Sequence, residues 1–194
     1  MNMDGSLAAT VIAALDVIVP WIFAFCLGTA NLTAILVSME GSSAWIMATA
    51  PVPVRDLLAA KVLASLLLAV PEALVCAVCM LIGGYPVVSA LVGVVLGVAS
   101  AIFMASFGQY LDVARPNYTW TAPAQVVKGS RSVTVTSILS VVIVLAGGGA
   151  SFMLSMNVGD APAYACSIAV AAVELIVAWV CFNRSAKDPL YLNR

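Results

Sequence analysis

The sequence predicts an all-α, polytopic membrane protein of about five spanning helices, forming a single transmembrane domain over residues 1–194. Three observations carry this expectation. First, the chain is 63% hydrophobic and only 9% charged, with a mean hydropathy of +1.12, whereas soluble domains carry about 25% charged residues. A soluble domain of 194 residues buries a core, but it cannot hide this much apolar surface. Second, five apolar runs approach the ~20 residues a bilayer requires: Leu7 to Gly28, Ala60 to Gly83, Val87 to Leu111, Val133 to Leu154, and Pro162 to Phe182. Third, all eight Lys and Arg residues fall in three places. Arg55 and Lys61 lie in the first interruption, Arg115, Lys128 and Arg131 in the third, and Arg184, Lys187 and Arg194 at the tail. The bias of basic residues toward the cytosol then puts the N-terminus outside, the C-terminus inside, and loops of about 38–60 and 112–132 in the cytosol. A net charge of −1, without a basic patch interleaved with aromatics, argues against nucleic acid as a partner.

No Lys or Arg precedes the first run, so the start resembles no signal peptide. An outside N-terminus without such a signal fits a chain that further helices once preceded. Asp16 sits mid-run, with Pro20 a turn later; Pro71 and Glu72 stand near the centre of the second run and Glu174 near that of the fifth. An ionised acid at the bilayer centre costs ~2.5–3.5 kcal/mol on insertion scales, and no basic residue lies at the same depth. Asp16, Glu72 and Glu174 are therefore expected to be neutral, to face an aqueous cavity, or to face one another. They are candidates for a substrate or proton path, with neutral packing between helices as the alternative.

Between the first two runs stands SMEGSSAWIMATAPVPVRDLLAAK, Ser38 to Lys61, which holds Glu40, Gly41, Trp45, Pro51, Pro53, Arg55 and Lys61. Lipid offers neither its backbone nor its charges hydrogen-bond partners, so the stretch belongs at or outside the surface. It is read as a coupling surface for whatever drives or regulates the membrane part. In the third run Ser89, Gly93, Gly97, Ala101 and Ala105 place a small residue at every fourth position, a groove for another helix of this chain or of a neighbouring subunit. In the fourth, Gly147, Gly148 and Gly149 weaken a helix by ~1 kcal/mol each relative to alanine and predict a bend, a re-entrant break or a hinge. The cysteines (Cys26, Cys76, Cys79, Cys166, Cys181) lie in or beside apolar runs and read as packing residues, Cys76 and Cys79 included, because hydrocarbon disfavours the thiolate that redox chemistry needs.

The third interruption reads DVARPNYTWTAPAQVVK. Asp112 and Arg115 are three apart and expected to pair at the helix end, where Pro116 stops the helix. Trp120 suits the headgroup level, and Lys128 is expected to anchor the next helix at the inner surface.

The series D-x-x-R-P-x-x-x-W-T followed by V-K resembles a cytosolic segment of bacterial ABC-type exporter permeases, the type-2 class. Glu40, Gly41, Trp45, Pro51, Val52 and Lys61 fill a second family-like segment, in which E-G leads to an aromatic, then P-V, then a Lys entering the next helix. Together the two segments and the helices between them cover roughly residues 30 to 135. The sequence departs from the family where basic residues often flank the E-G pair (Met39, Ser42 and Ala48 here) and where acids commonly follow W-T (Ala122, Pro123 and Ala124 here). The resemblance implies a multi-pass permease subunit in the plasma (cytoplasmic) membrane of a bacterium, here the C-terminal part of a longer permease. It also implies a separate ATP-binding-cassette ATPase as partner, and a second permease half or a second copy of the chain. Glu40, Gly41, Trp45, Pro51 and Arg55 of one loop, with Asp112, Arg115, Pro116, Trp120 and Lys128 of the other, become the candidates for contact with that ATPase.

The chain has no G-x-x-x-x-G-K-[ST] loop to cradle nucleotide phosphates, and with no His it excludes His-based triads and H-E-x-x-H zinc sites. No enzyme activity, cofactor or metal is expected; an aspartyl dyad is the one intramembrane chemistry the acids leave open. Two other readings stay open: a proton-coupled carrier using the intramembrane acids, and a substrate-binding membrane subunit of an importer. The scarcity of polar residues in the runs favours lipid-like or amphipathic cargo over sugars or ions.

Overall fold

The computed structural model describes residues 3–30, 33–49, 51–121, 125–126 and 129–187, without the side chains of residues 3–13, 47 and 48. The helices are α1 (Met3–Thr29), the short α2 (Ala44–Thr49), α3 (Val54–Ile82), α4 (Val87–Ala114), α5 (Arg131–Asn157) and α6 (Asp160–Ser185), with a tight 3-10 turn over Ser38–Ser43 before α2. No strand occurs among the described residues. Four helices, α3 to α6, are long and apolar enough to cross a membrane, while the described apolar part of α1 is the shorter Ala14–Thr29. The architecture is that of a helical, multi-pass membrane protein.

The central helix is α4. It packs against α1, α3 and α6, and 56% of its most apolar stretch is buried, against 17% for α3. Small side chains make this possible, because they let neighbouring backbones approach closely. Gly93 lies against Pro20 and Gly97 against Leu27, where an added Cβ would stand 3.6 Å from each neighbour. Ala101 joins a cluster with Leu27, Ala69 and Ala73, and the carbonyl of Ala105 accepts the Thr33 hydroxyl at 2.7 Å. The small-residue ridge is thus occupied within the chain, by α1 and α3.

The glycine triplet does not break α5, which runs as one helix from Arg131 to Asn157. Its physical reason is the side chain opposite. A Cβ on Gly147 would stand 2.1 Å from the Trp21 ring and one on Gly148 3.3 Å from it, whereas nothing lies within 4 Å of Gly149. Trp21 is 1% exposed, and its indole N–H donates to Ser167 Oγ at 3.1 Å. Gly147 and Gly148 together form a slot for an indole.

The first run falls within α1, Met3–Thr29, which includes the expected Leu7 to Gly28. The Ser89 hydroxyl, at the start of α4, donates to the carbonyl of Asp16, and at the other end Val37 and Ser38 meet Asp112 in the last turn of α4. Helix α1 ends at Thr29, and the turns over residues 33–37 lie buried, with Thr33, Ala34 and Val37 wholly enclosed.

The directions of the helices gather the basic residues at one end. Arg55 opens α3, Arg115 follows α4, Arg131 opens α5, and Arg184 and Lys187 close and follow α6. Asp160 and the Gly83–Pro86 turn mark the opposite end.

Candidate functional site at the basic end

The two polar interruptions meet at this end, and Ser38 is where they are tied. The carboxylate of Asp112, which is 1% exposed, accepts the backbone N–H groups of Val37 at 2.9 Å and Ser38 at 3.0 Å, together with the Ser38 hydroxyl. The Asn117 N–H donates to Ser38 Oγ at 3.0 Å, and the Trp120 indole N–H donates to the Ser38 carbonyl at 2.8 Å. One serine thus gives its amide, hydroxyl and carbonyl to the 112–120 segment. Bonds to a carboxylate are the stronger kind, and a buried carboxylate with its donors in place fixes the backbone it holds.

Glycine at position 41 answers two needs. Its φ of +51° lies in the left-handed region, and an added Cβ would stand 2.9 Å from Trp120 Cζ2. The preceding Glu40 turns the other way and pairs with Lys61, whose ammonium also donates to the Leu36 carbonyl at 3.0 Å. The Glu40–Gly41 step therefore holds α3 on one side and the α4–α5 connection on the other. Gln109, buried in α4, adds a bond from its Nε2 to the Leu58 carbonyl at 3.0 Å, beside the apolar contact of Val37, Leu58 and Val113.

Asp112 and Arg115, expected to pair, do not. The carboxylate is occupied by Val37 and Ser38, and Arg115 has left the helix (φ −148°, ψ 68°), so the three-residue spacing no longer brings the side chains together. Arg115 is exposed, and Pro116 follows it out of the helix. Trp45 projects from α2 and is 66% exposed, with Ile46 beside it also exposed. Pro51 and Pro53 are exposed ahead of α3, and so is Arg55 in its first turn. Lys128 lies outside the described residues.

The intramembrane acids are not brought together. Asp16 is half-buried near the end opposite the site, and Glu72 is exposed on α3. Glu174 is 4% exposed at mid-bundle, where the Ser100 hydroxyl donates to Oε2 at 2.8 Å and Oε1 is enclosed without a hydrogen-bond partner. Among the described residues no group of His, Cys, Asp and Glu could hold a metal ion, and the five cysteines are free thiols.

Sequence reading missed Ser38 and Gln109. A serine two residues before an E-G pair, seventy-four residues from an aspartate, carries no local signal; only the bundle brings it to Asp112. No family model matches this chain, and comparison with curated proteins and with solved structures gives no significant match.

Proposed function

We propose that the chain is the transmembrane permease subunit of an ATP-driven, ABC-type exporter in a bacterial plasma membrane. It crosses that membrane five times with α1 as the first crossing and the basic end in the cytosol. A separate ATPase subunit hydrolyses the ATP, and a second permease half or a second copy completes the path.

The observation that supports this reading is the join between the two exporter-like segments: Trp120 stacked over Gly41, with Ser38 held by Asp112. A partner bearing on Trp45 would push on a surface fastened to α3 through Lys61 and to α4 through Asp112. Displacement there would pass into two crossings together, which is what rocking between two arrangements requires.

The test is Trp45→Ala, measured as substrate-stimulated ATP hydrolysis by the reconstituted complex against the amount of ATPase bound. Aromatic anchors at interface centres are worth ~2 kcal/mol or more, about thirtyfold in affinity. Coupling is expected to fall by that order while insertion is unaffected. Unchanged stimulation in Trp45→Ala and Glu40→Ala removes this surface from the mechanism. One observation favours a second reading, the proton-coupled carrier: the enclosed, unpartnered oxygen of Glu174 at mid-bundle. It takes over if no ATPase co-purifies and transport follows the proton gradient.

A further inference from the structure

Where α4 gives way to the third interruption, a cavity of about 530 Å³ opens between the end of α4 and the start of α5. Arg115 and Arg131 both line it, and neither forms an ion pair with a described residue. The acid among its lining residues, Asp112, has its carboxylate engaged by the amides of Val37 and Ser38 and the hydroxyl of Ser38. Two arginines thus line the cavity, with the nearby negative charge already committed elsewhere.

Ser132 supplies a second, independent sign. It is 6% exposed and lines the cavity, and its hydroxyl bonds to no described residue; only its carbonyl is used, by Thr136. A serine this buried that lines a cavity offers its hydroxyl to an acceptor there. It also sits in the first turn of α5, where backbone N–H groups lack intrahelical partners and the helix dipole favours an anion. Fork-shaped guanidinium groups, a hydroxyl and a helix start together match a phosphate.

What carries the phosphate is indicated by the cavity's apolar side. Val135 lines the cavity and is also exposed, and Ile138, Val142 and Leu145 follow it as exposed residues at helical spacing along α5. A stripe of apolar side chains thus begins inside the anion site and continues down the outer face of a membrane-crossing helix. We propose that the cavity binds an anionic phospholipid. Its phosphate is held by Arg115, Arg131 and Ser132, and an acyl chain lies along Val135, Ile138 and Val142. Basic pockets between helices at the cytosolic side hold such head groups in other membrane proteins.

The inference does not depend on the exporter reading, and its test involves no ATPase. The purified chain is titrated in detergent with phosphatidylglycerol or with phosphatidylcholine, and retained lipid is read by native mass spectrometry. Preferential retention of phosphatidylglycerol is expected, weakened about thirtyfold in the double variant Arg115→Gln, Arg131→Gln, since each basic residue near the surface adds about fivefold. Ser132→Ala should weaken it a few-fold. Both arginines are exposed, so the double variant keeps the fold, and its melting curve checks this. Arg55→Gln, an exposed charge at the same end outside the cavity, should keep the preference. Equal loss in Arg55→Gln would mean diffuse surface attraction and overturn the site, as would an unchanged preference in the double variant. Glycerol phosphate is the competing arm: if it binds as tightly as the lipid and displaces it, the site takes a free phosphate ester and the lipid assignment falls.

Discussion

Gly147→Ala adds a single methyl group to α5 at the point where Trp21 lies closest. The new Cβ would stand 2.1 Å from Trp21 Cη2 and 2.5 Å from Cζ3, where ordinary contact begins at 3.4 Å. One of the two must therefore retreat by about 3.4 − 2.1 = 1.3 Å. Neither does so freely. The indole is fully enclosed beside Ala24, Leu96, Ala99 and Ala171, and its N–H is held by Ser167, whose hydroxyl also lies 3.2 Å from that of Ser151. Overpacking of this kind costs ~1–3 kcal/mol, and a lost indole bond adds ~0.5–1.5 kcal/mol. The helix gains ~1 kcal/mol from replacing glycine by alanine, which leaves a net loss of ~0.5–3.5 kcal/mol. Gly149→Ala collects the same helical gain without the clash, since nothing lies within 4 Å of that position. Gly148, with Trp21 at 3.3 Å, should fall between the two. The assay is unfolding of the detergent-solubilised protein by a denaturing detergent, followed by tryptophan fluorescence. Trp21→Leu in the Gly147→Ala background should recover part of the loss, the signature of a pair in contact. If Gly147→Ala and Gly149→Ala shift stability alike, the slot is wrong and the triplet acts as a bend.

Two further outcomes are expected. Asp112→Asn keeps the shape of the side chain but removes its charge, and should cost ~1.5–3 kcal/mol as the bonds from Val37 and Ser38 weaken; faster amide exchange at those two residues checks it, and unchanged exchange would refute the tie. Cysteines placed at Ser43 and Ser130 in a background lacking the five native thiols should resist an impermeant thiol reagent on intact cells and react once the cytosolic side is opened; labelling of either on intact cells would overturn the orientation.

Helix existence was legible wherever an apolar run was bounded by charge or by turn residues. The run from Val87 to Leu111 becomes Val87–Ala114, and the run from Pro162 to Phe182 becomes Asp160–Ser185. The extra turns carry polar residues, Asp112, Asp160, Asn183, Arg184 and Ser185, that stay helical beyond the apolar stretch. The run beginning at Ala60 starts earlier, at Val54, because Pro53 is a natural boundary and Lys61 finds Glu40 and the Leu36 carbonyl. Where reading failed, the deciding partner was remote in sequence. Nothing near Gly147 announces Trp21, and nothing near Ser38 announces Asp112. The pairing of Asp112 with Arg115 failed for the converse reason: a local rule for helices was applied across the residue where the helix ends.

The enclosed turns at residues 33–37 have a consequence for how the chain is made. Their ties run forward by seventy-two to seventy-five residues, from Thr33 to Ala105 and from Val37 to Asp112. A ribosome delivers α1 well before it delivers α4, so for that interval the amides of Val37 and Ser38 have no acceptor from α4. The order of synthesis and the order of packing therefore differ: the turn that follows α1 takes its final place only when α4 arrives carrying Asp112.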